Sequence, residues 1–237
     1  DYFYHSEDYH GGTWHNEKDK QGISSLIRKG IATAGKIEDS ETLKIASRWI
    51  DGLADQSQFF LGMNLQNTHF SYVNPPGGAT PYQPADAGSG GIYYLWPESM
   101  KEAFRNKYLN AVYNLDRELA AFAARLKAKG LWDRALIVII GDSGEAFHEH
   151  GFGNHSGPMY DEVMRTFVML KPPKGSDLGS TLPLGTFNEA VSHLDITATI
   201  PDLLGIPVPD SFQGRSVLRR GGNRDGEGAV FMHSNAL

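Results

Sequence analysis

The chain contains no cysteine. Disulfides, thiolate metal sites and cysteine nucleophiles are therefore excluded, although the compartment is not fixed by that. No apolar run reaches the length of a membrane span. The first residues, Asp1-Tyr2-Phe3-Tyr4-His5, carry neither the basic stretch nor the apolar stretch of a secretion signal. The chain does not open on Met and reads as a mature product or as a piece of something longer. A large charge of either sign is also missing: 22 Lys and Arg against 28 Asp and Glu give −6. That argues against a nucleic-acid partner bound by bulk positive charge, and it is compatible with binding a divalent cation. Internal repeats are absent.

What is present is ordinary globular composition. The 237 residues are 40% hydrophobic and 21% charged, enough for one sizeable core. Residues 1–40 are polar and aromatic, with His5, His10 and His15 at a spacing that fits neither helix nor strand; they read as a rim loop or as a solvated surface loop. Leu43, Ala46, Trp49, Ile50 and Leu53 predict a helix over 41–54, with Asp39 or Ser40 as its N-cap. The flat apolar run 59–65 predicts a buried parallel strand, ending at Gln66-Asn67-Thr68-His69. Residues 71–97 form a long Pro- and Gly-rich loop. Tyr108, Val112, Leu115, Leu119, Phe122 and Leu126 step by 4, 3, 4, 3, 4 and predict the core face of a helix over 98–129, closed by Gly130. A further helix is expected over 197–204, ended by Gly205, and a last strand over 229–232. The alternation of helix and strand predicts a mainly parallel α/β sheet with helices on both faces.

The centre of the chain is residues 135–170. The apolar run Ala135–Ile140 predicts a buried strand that delivers Gly141-Asp142-Ser143-Gly144 at its C-terminal end, where α/β sheets bind ligands. A carboxylate following such an apolar run and a glycine needs a cation or hydrogen-bond donors. Asp142 therefore reads as a metal ligand or as the cap of the next turn. Gly141 and Gly144 would let the backbone approach a ligand. Ser143, Glu145, His148, Glu149, His150 and His155 are nearby donors, a set suited to Ca²⁺, Mg²⁺, Mn²⁺ or Zn²⁺. His69, at the tip of its predicted strand, reads as a site residue or as a loop cap.

These blocks resemble the sulfatase branch of the alkaline phosphatase superfamily. Gly141-Asp142-Ser143-Gly144-Glu145, His148-Glu149-His150-Gly151, His155 and Tyr160-Asp161-Glu162-Val163-Met164-Arg165 are similar to its second metal-binding block. Phe59-Phe60-Leu61 through His69, Tyr108 through Asp133, Ser192 through Pro207 and Gly214 through Leu218 are similar to other blocks in the family's order.

The resemblance implies an alkaline-phosphatase-like α/β fold, here a single partial domain over 1–237. Residues 1–40 and 71–97 would be rim loops and 221–237 the start of a C-terminal extension. It implies Asp142 as a divalent-metal ligand, Ca²⁺ first among the candidates. Ser143 stands where the family has His or Asn as second ligand, and a neutral hydroxyl is a weaker donor. His69 would contact the transferring group or protonate the leaving oxygen, and His155 would bind the anionic group. Glu145 and His150 would support these or stabilise turns, and Arg165 would anchor its loop by ion pairing. The implied reaction is hydrolysis of sulfate esters of a sugar or lipid headgroup. The alternatives are a phosphoethanolamine or phosphoglycerol transferase and an inactive ligand-binding relative. The family's nucleophile segment, Cys- or Ser-x-Pro-x-Arg, has no counterpart here, so the chain alone is expected not to turn over. The resemblance implies a periplasmic or membrane-anchored extracytoplasmic location and leaves the oligomeric state open.

Overall fold

The computed structural model describes residues 32–33, 36–87, 96–155, 157–176, 185–186 and 190–219. The chain divides into two compact units. The first is Asp1–Trp132 with Ser143–Arg165, and the second is Asp133–Asp142 with Thr166–Leu237.

The first unit begins with a short antiparallel pair, β1 (Ala32–Thr33) and β2 (Lys36–Ile37). Helix α1 (Asp39–Asp51) follows and buries Leu43, Ala46 and Ile50. The N-cap residue is Glu38 rather than the expected Asp39 or Ser40, and its side chain makes no capping bond; Asp39 instead reaches a distant turn. The Asp39 carboxylate is fully buried. It accepts hydrogen bonds from the backbone N–H groups of Gln66 (2.7 Å) and Asn67 (3.0 Å), and the Asp39 N–H donates to Asn67 Oδ1 (3.3 Å). The start of α1 thus holds the turn that carries His69. The run 59–65 forms no strand ladder, and Phe60 is 84% exposed. Among the described residues no strand lies beside it to supply the hydrogen bonds a ladder needs.

A 3₁₀ turn (Glu98–Met100) leads into α2 (Lys101–Ala128), which packs on α1. The Arg125 guanidinium makes a two-pronged ion pair with Asp51. Gly130, at φ 66°, closes α2 as expected: its N–H donates to Lys127 O, and the Leu131 N–H to Leu126 O. The face of α2 differs from the expected one. Phe122 and Leu126 are buried, but Val112 is 38% exposed. The buried row is instead Asn106, Asn110 and Asn114, spaced by four. Asn110 accepts from Tyr82 N–H and donates to Tyr82 O, both at 3.0 Å. Asn114 does the same with Ala79, and Asn106 donates to Pro84 O. Loop 74–84 thus runs along the helix as though paired to a strand, its backbone groups satisfied by amide side chains.

The core of this unit is aromatic. Tyr72, Trp96, Phe104 and Phe147 are buried together, with Phe70 and Tyr108 packed against them. Phe70 follows His69, and Phe147 sits inside the 143–155 loop. Both site-bearing loops are therefore anchored by a ring in one core.

In the second unit β3 (Ile137–Ile140) pairs antiparallel with β4 (Val168–Lys171), Ile137 facing Lys171 and Ile140 facing Val168. The strand predicted at 135–140 forms here, but it is half-exposed, and Ile140 is 43% accessible. Among the described residues β4 is its single ladder neighbour. The two sheets of the described residues are both two-stranded and antiparallel. Helix α4 (His193–Leu203) starts earlier than expected because Ser192 and Asp195 form a reciprocal capping box. The second Asp195 oxygen accepts from Arg215 N–H, and Thr199 Oγ1 accepts from Val217 N–H, fastening the 3₁₀ turn Val217–Arg219 to the helix. The strand expected at 229–232 and the extension 221–237 lie outside the described residues. Among the described residues no helix is long and apolar enough to cross a membrane.

Candidate functional site

The segment 144–155 is a closed loop. The Asn154 N–H donates to Ala146 O and the His148 N–H to Phe152 O, both at 2.8 Å, around a Phe147–Gly153 bridge. Asn154 is 1% exposed and adopts φ 64°, a conformation asparagine tolerates better than most residues. This closure sets Glu145 opposite His155. The His155 Nδ1–H donates to Glu145 Oε2 at 3.0 Å, and the carboxylate is almost wholly buried, its side chain 7% exposed.

The His155 ring meets the His69 ring edge to face, with centroids 5.3 Å apart. His69 is held within its own turn: its Nδ1–H donates to Phe70 O at 2.7 Å, its N–H to Gln66 O, and its carbonyl accepts from Tyr72 N–H. A backbone carbonyl and a carboxylate are acceptors only, so both neutral rings carry their proton on Nδ1. Two residues 86 positions apart in sequence, each predicted for the site, are thus neighbours with the same nitrogen committed.

Asp142 closes the first segment of the second unit and is exposed. Its carboxylate therefore escapes the desolvation cost expected of a strand-end acid. In the same unit the His193 Nε2–H donates to Gly141 O at 2.9 Å, fixing the end of β3 against the start of α4. Sequence reasoning did not assign His193 this role. Its place one residue after the Ser192 cap was the available signal. Ser143 opens the second segment of the first unit, and its hydroxyl donates to Gly144 O at 3.0 Å.

The two glycines make room for the protein's own chain rather than for a ligand. At Gly144 a Cβ would fall on Glu162 O and within 2.7 Å of Arg165 O, and at Gly141 on the Thr166 hydroxyl. The short helix α3 (Asp161–Met164) is what presses on Gly144. His150 stabilises this turn: it stacks on Tyr160 at 3.9 Å and its Nδ1–H donates to Glu162. That bond holds the Glu162 carboxyl below its ordinary range. Arg165 reaches Asp161 only at 4.0 Å with both side chains exposed, too loose an ion pair to anchor a loop. Glu149 accepts from Phe147 N–H, and His148 donates to Trp96 O.

As a metal site these residues are incomplete. Asp142 offers one anionic oxygen, and the Ser143 hydroxyl is already turned onto a carbonyl. Among the described residues no three His, Asp or Glu side chains gather as they would to hold an ion. A divalent cation such as Ca²⁺ takes six to eight oxygens, so the described residues do not fit a whole site.

The family model described as Sulfatase matches residues 1–206. Among solved structures, the chain is 26% identical, with a TM-score of 0.42, to a protein captured with its substrate D-glucosamine-2-N,6-O-disulfate; the match covers 49% of this chain and 22% of that one. It is 24% identical, with a TM-score of 0.47, to the phosphonate monoester hydrolase from Silicibacter pomeroyi, over 74% of this chain and 35% of that one. The chain thus spans about a third or less of the length of these proteins. No curated protein matches.

Proposed function

The chain belongs to the sulfatase family, and from that premise we propose that it supplies the second metal- and substrate-binding block of a metal-dependent sulfate ester hydrolase. The family's fold is alkaline-phosphatase-like α/β; the mainly parallel sheet belongs to this proposal. The observation that carries the reading is the His69–His155 pair. Two imidazoles with centroids 5.3 Å apart, each fixed through Nδ1, support a reading in which Nε2 is the nitrogen that meets an anionic ester.

In this reading His69 is catalytic: with Nδ1–H held by Phe70 O, the ring takes a second proton on Nε2 from solvent, gives it to the leaving oxygen as the ester bond breaks, and returns to the neutral form. His155 binds the anionic group. Asp142 would give an anionic oxygen to a divalent cation, calcium first, with Ser143 a weaker donor. When bound, that ion would neutralise the ester oxygens. The substrate is an anionic ester, a sulfated sugar or a lipid headgroup, chosen by the rim loops 1–40 and 71–97, in a periplasmic or otherwise extracytoplasmic setting.

The 237 residues form a partial domain in this proposal. Its support is apolar exposure: Phe60 at 84%, Met169 at 54% and Phe167 at 53% are accessible, and the strands pair only in twos among the described residues. Small isolated sheets with exposed apolar faces are marginal by themselves. The sequence also carries neither a cysteine nor a Ser-x-Pro-x-Arg motif to act as nucleophile.

The test is turnover of an aryl sulfate ester by the longer polypeptide that joins this chain to a nucleophile segment, assayed with and without chelator. Hydrolysis that chelation abolishes and calcium restores is expected. Hydrolysis indifferent to chelator would remove Asp142 from a metal role. Transfer to a lipid acceptor with no sulfate release would replace the sulfatase with the transferase.

A further inference from the structure

We propose that Glu145 is the positioning residue for His155: its buried carboxylate accepts the Nδ1 proton and fixes the ring's direction, so that Nε2, protonated when the ring is charged, is the donor turned to the anionic group. The inference rests on the substrate-binding role given to His155 above, and it deepens that role.

Three observations carry it. First, the loop closure through Asn154 N–H and Ala146 O sets Glu145 and His155 facing each other across the Phe147–Gly153 bridge. The pairing is therefore built into the backbone. Second, the Glu145 side chain is 7% exposed and the His155 side chain 25%. A bond at 3.0 Å between groups so covered holds its geometry better than a surface ion pair, which side-chain entropy and solvent loosen. Third, the carboxylate is poorly served apart from this contact. Glu145 Oε1 is buried and has no hydrogen-bond partner among the described residues. A buried acid with one oxygen unmatched is a costly way to staple a loop. The 144–155 loop already has its own backbone pairing and the Phe147 ring in the core. The cost is understandable if the acid's task is to orient an imidazole, the arrangement by which a third group aims a catalytic or ligating histidine.

His69 supports this by contrast. It has the same Nδ1 commitment, but to the carbonyl of the adjacent residue. A ring within a turn is oriented locally. His155, at the end of a long loop, needs an acceptor from the other end of that loop, and Glu145 is that acceptor.

The test is the tautomer of His155, read by long-range ¹⁵N–¹H correlation of the ring in the ¹⁵N-labelled longer polypeptide, at a pH where the ring is neutral. The wild type is expected to carry the proton on Nδ1. Glu145→Ala is expected to lose that preference. Glu145→Gln, which keeps an amide oxygen at the same place, is expected to retain it. A wild-type ring protonated on Nε2, or a tautomer unmoved in Glu145→Ala, would overturn the proposal. Because the wild-type spectrum alone can refute it, a variant that fails to fold does not shield it.

In the longer polypeptide with turnover, Glu145→Ala should raise KM for the sulfate ester roughly tenfold. Adding Glu145→Ala to His155→Ala should change nothing further, since the acid acts through the ring. Additive losses would mean that Glu145 acts on its own. Absence of any sulfate ester turnover would defeat the functional reading while leaving the tautomer result to stand or fall separately.

Discussion

Asp39 and His69 are far apart in chemical role, yet the second depends on the first. The Asp39 carboxylate accepts the N–H groups of Gln66 and Asn67 with no exposed surface, and the next hydrogen bond along the chain, His69 N–H to Gln66 O, builds on that turn. Asp39→Ala removes the acceptor and leaves two buried amides unmatched, at about 1–3 kcal/mol each. The urea midpoint should fall accordingly with the slope of the transition unchanged; an unchanged midpoint would mean that the turn holds by itself. The same residue shows what sequence could and could not say. An acid at the start of the helix was legible, but the expected cap was not: Glu38, not Asp39 or Ser40, is the N-cap residue. The partners of Asp39, 27 and 28 positions away, were not legible, because local patterning carries no information about which distant amides lack acceptors. Motif order singled out His155 and His69, but gave no sign that their rings would touch. Asp142 was expected to be buried because it follows apolar residues, and it is exposed because the strand end is.

At the scale of elements, periodicity found the helices and misjudged a face. The stripe through Val112 counts apolar residues, whereas α2 buries Asn106, Asn110 and Asn114. An amide side chain can be core when a loop backbone lies against it, and no hydropathy pattern reports where a loop will lie. Asn110→Ala would orphan the N–H and C=O of Tyr82. A loss of about 1–3 kcal/mol is expected, together with faster proteolysis within 74–84. Cleavage confined to other loops would show that the ladder is not what pins this one.

Between α1 and α2 lies an electrostatic cost. The Glu118 carboxyl is pushed up to about 6 by burial and by the charges of Asp39 and Glu38, against a smaller opposite pull from Lys44. Its folded value lies above the ordinary 4.5, so the folded state binds the proton more tightly. Stability from this group is full below about 4.5 and is lost as pH rises through about 6. Glu118→Gln is therefore expected to raise Tm at pH 8 and to leave it unchanged at pH 4. A variant less stable than wild type at pH 8 would show that the charge is matched by a cation.

At the scale of the whole molecule, the sheet is where expectation and structure differ most. Flat apolar runs at 59–65 and 135–140 predict strands covered on both faces. The first has no ladder and the second has one neighbour among the described residues. Strands of that kind take their stability from what lies beside them, so their pattern describes a larger sheet than these residues form. The isolated 237 residues are accordingly expected to show no sulfate ester turnover above background, and robust activity from them alone would refute the partial-domain account. The central claim is that His69 reacts and His155 binds in a sulfatase. The most direct measurement is kcat for an aryl sulfate in the longer polypeptide carrying His69→Ala, beside His155→Ala. The account predicts a fall in kcat of about 10²–10⁴ for the first and a rise mainly in KM for the second. Wild-type kcat in His69→Ala would contradict it.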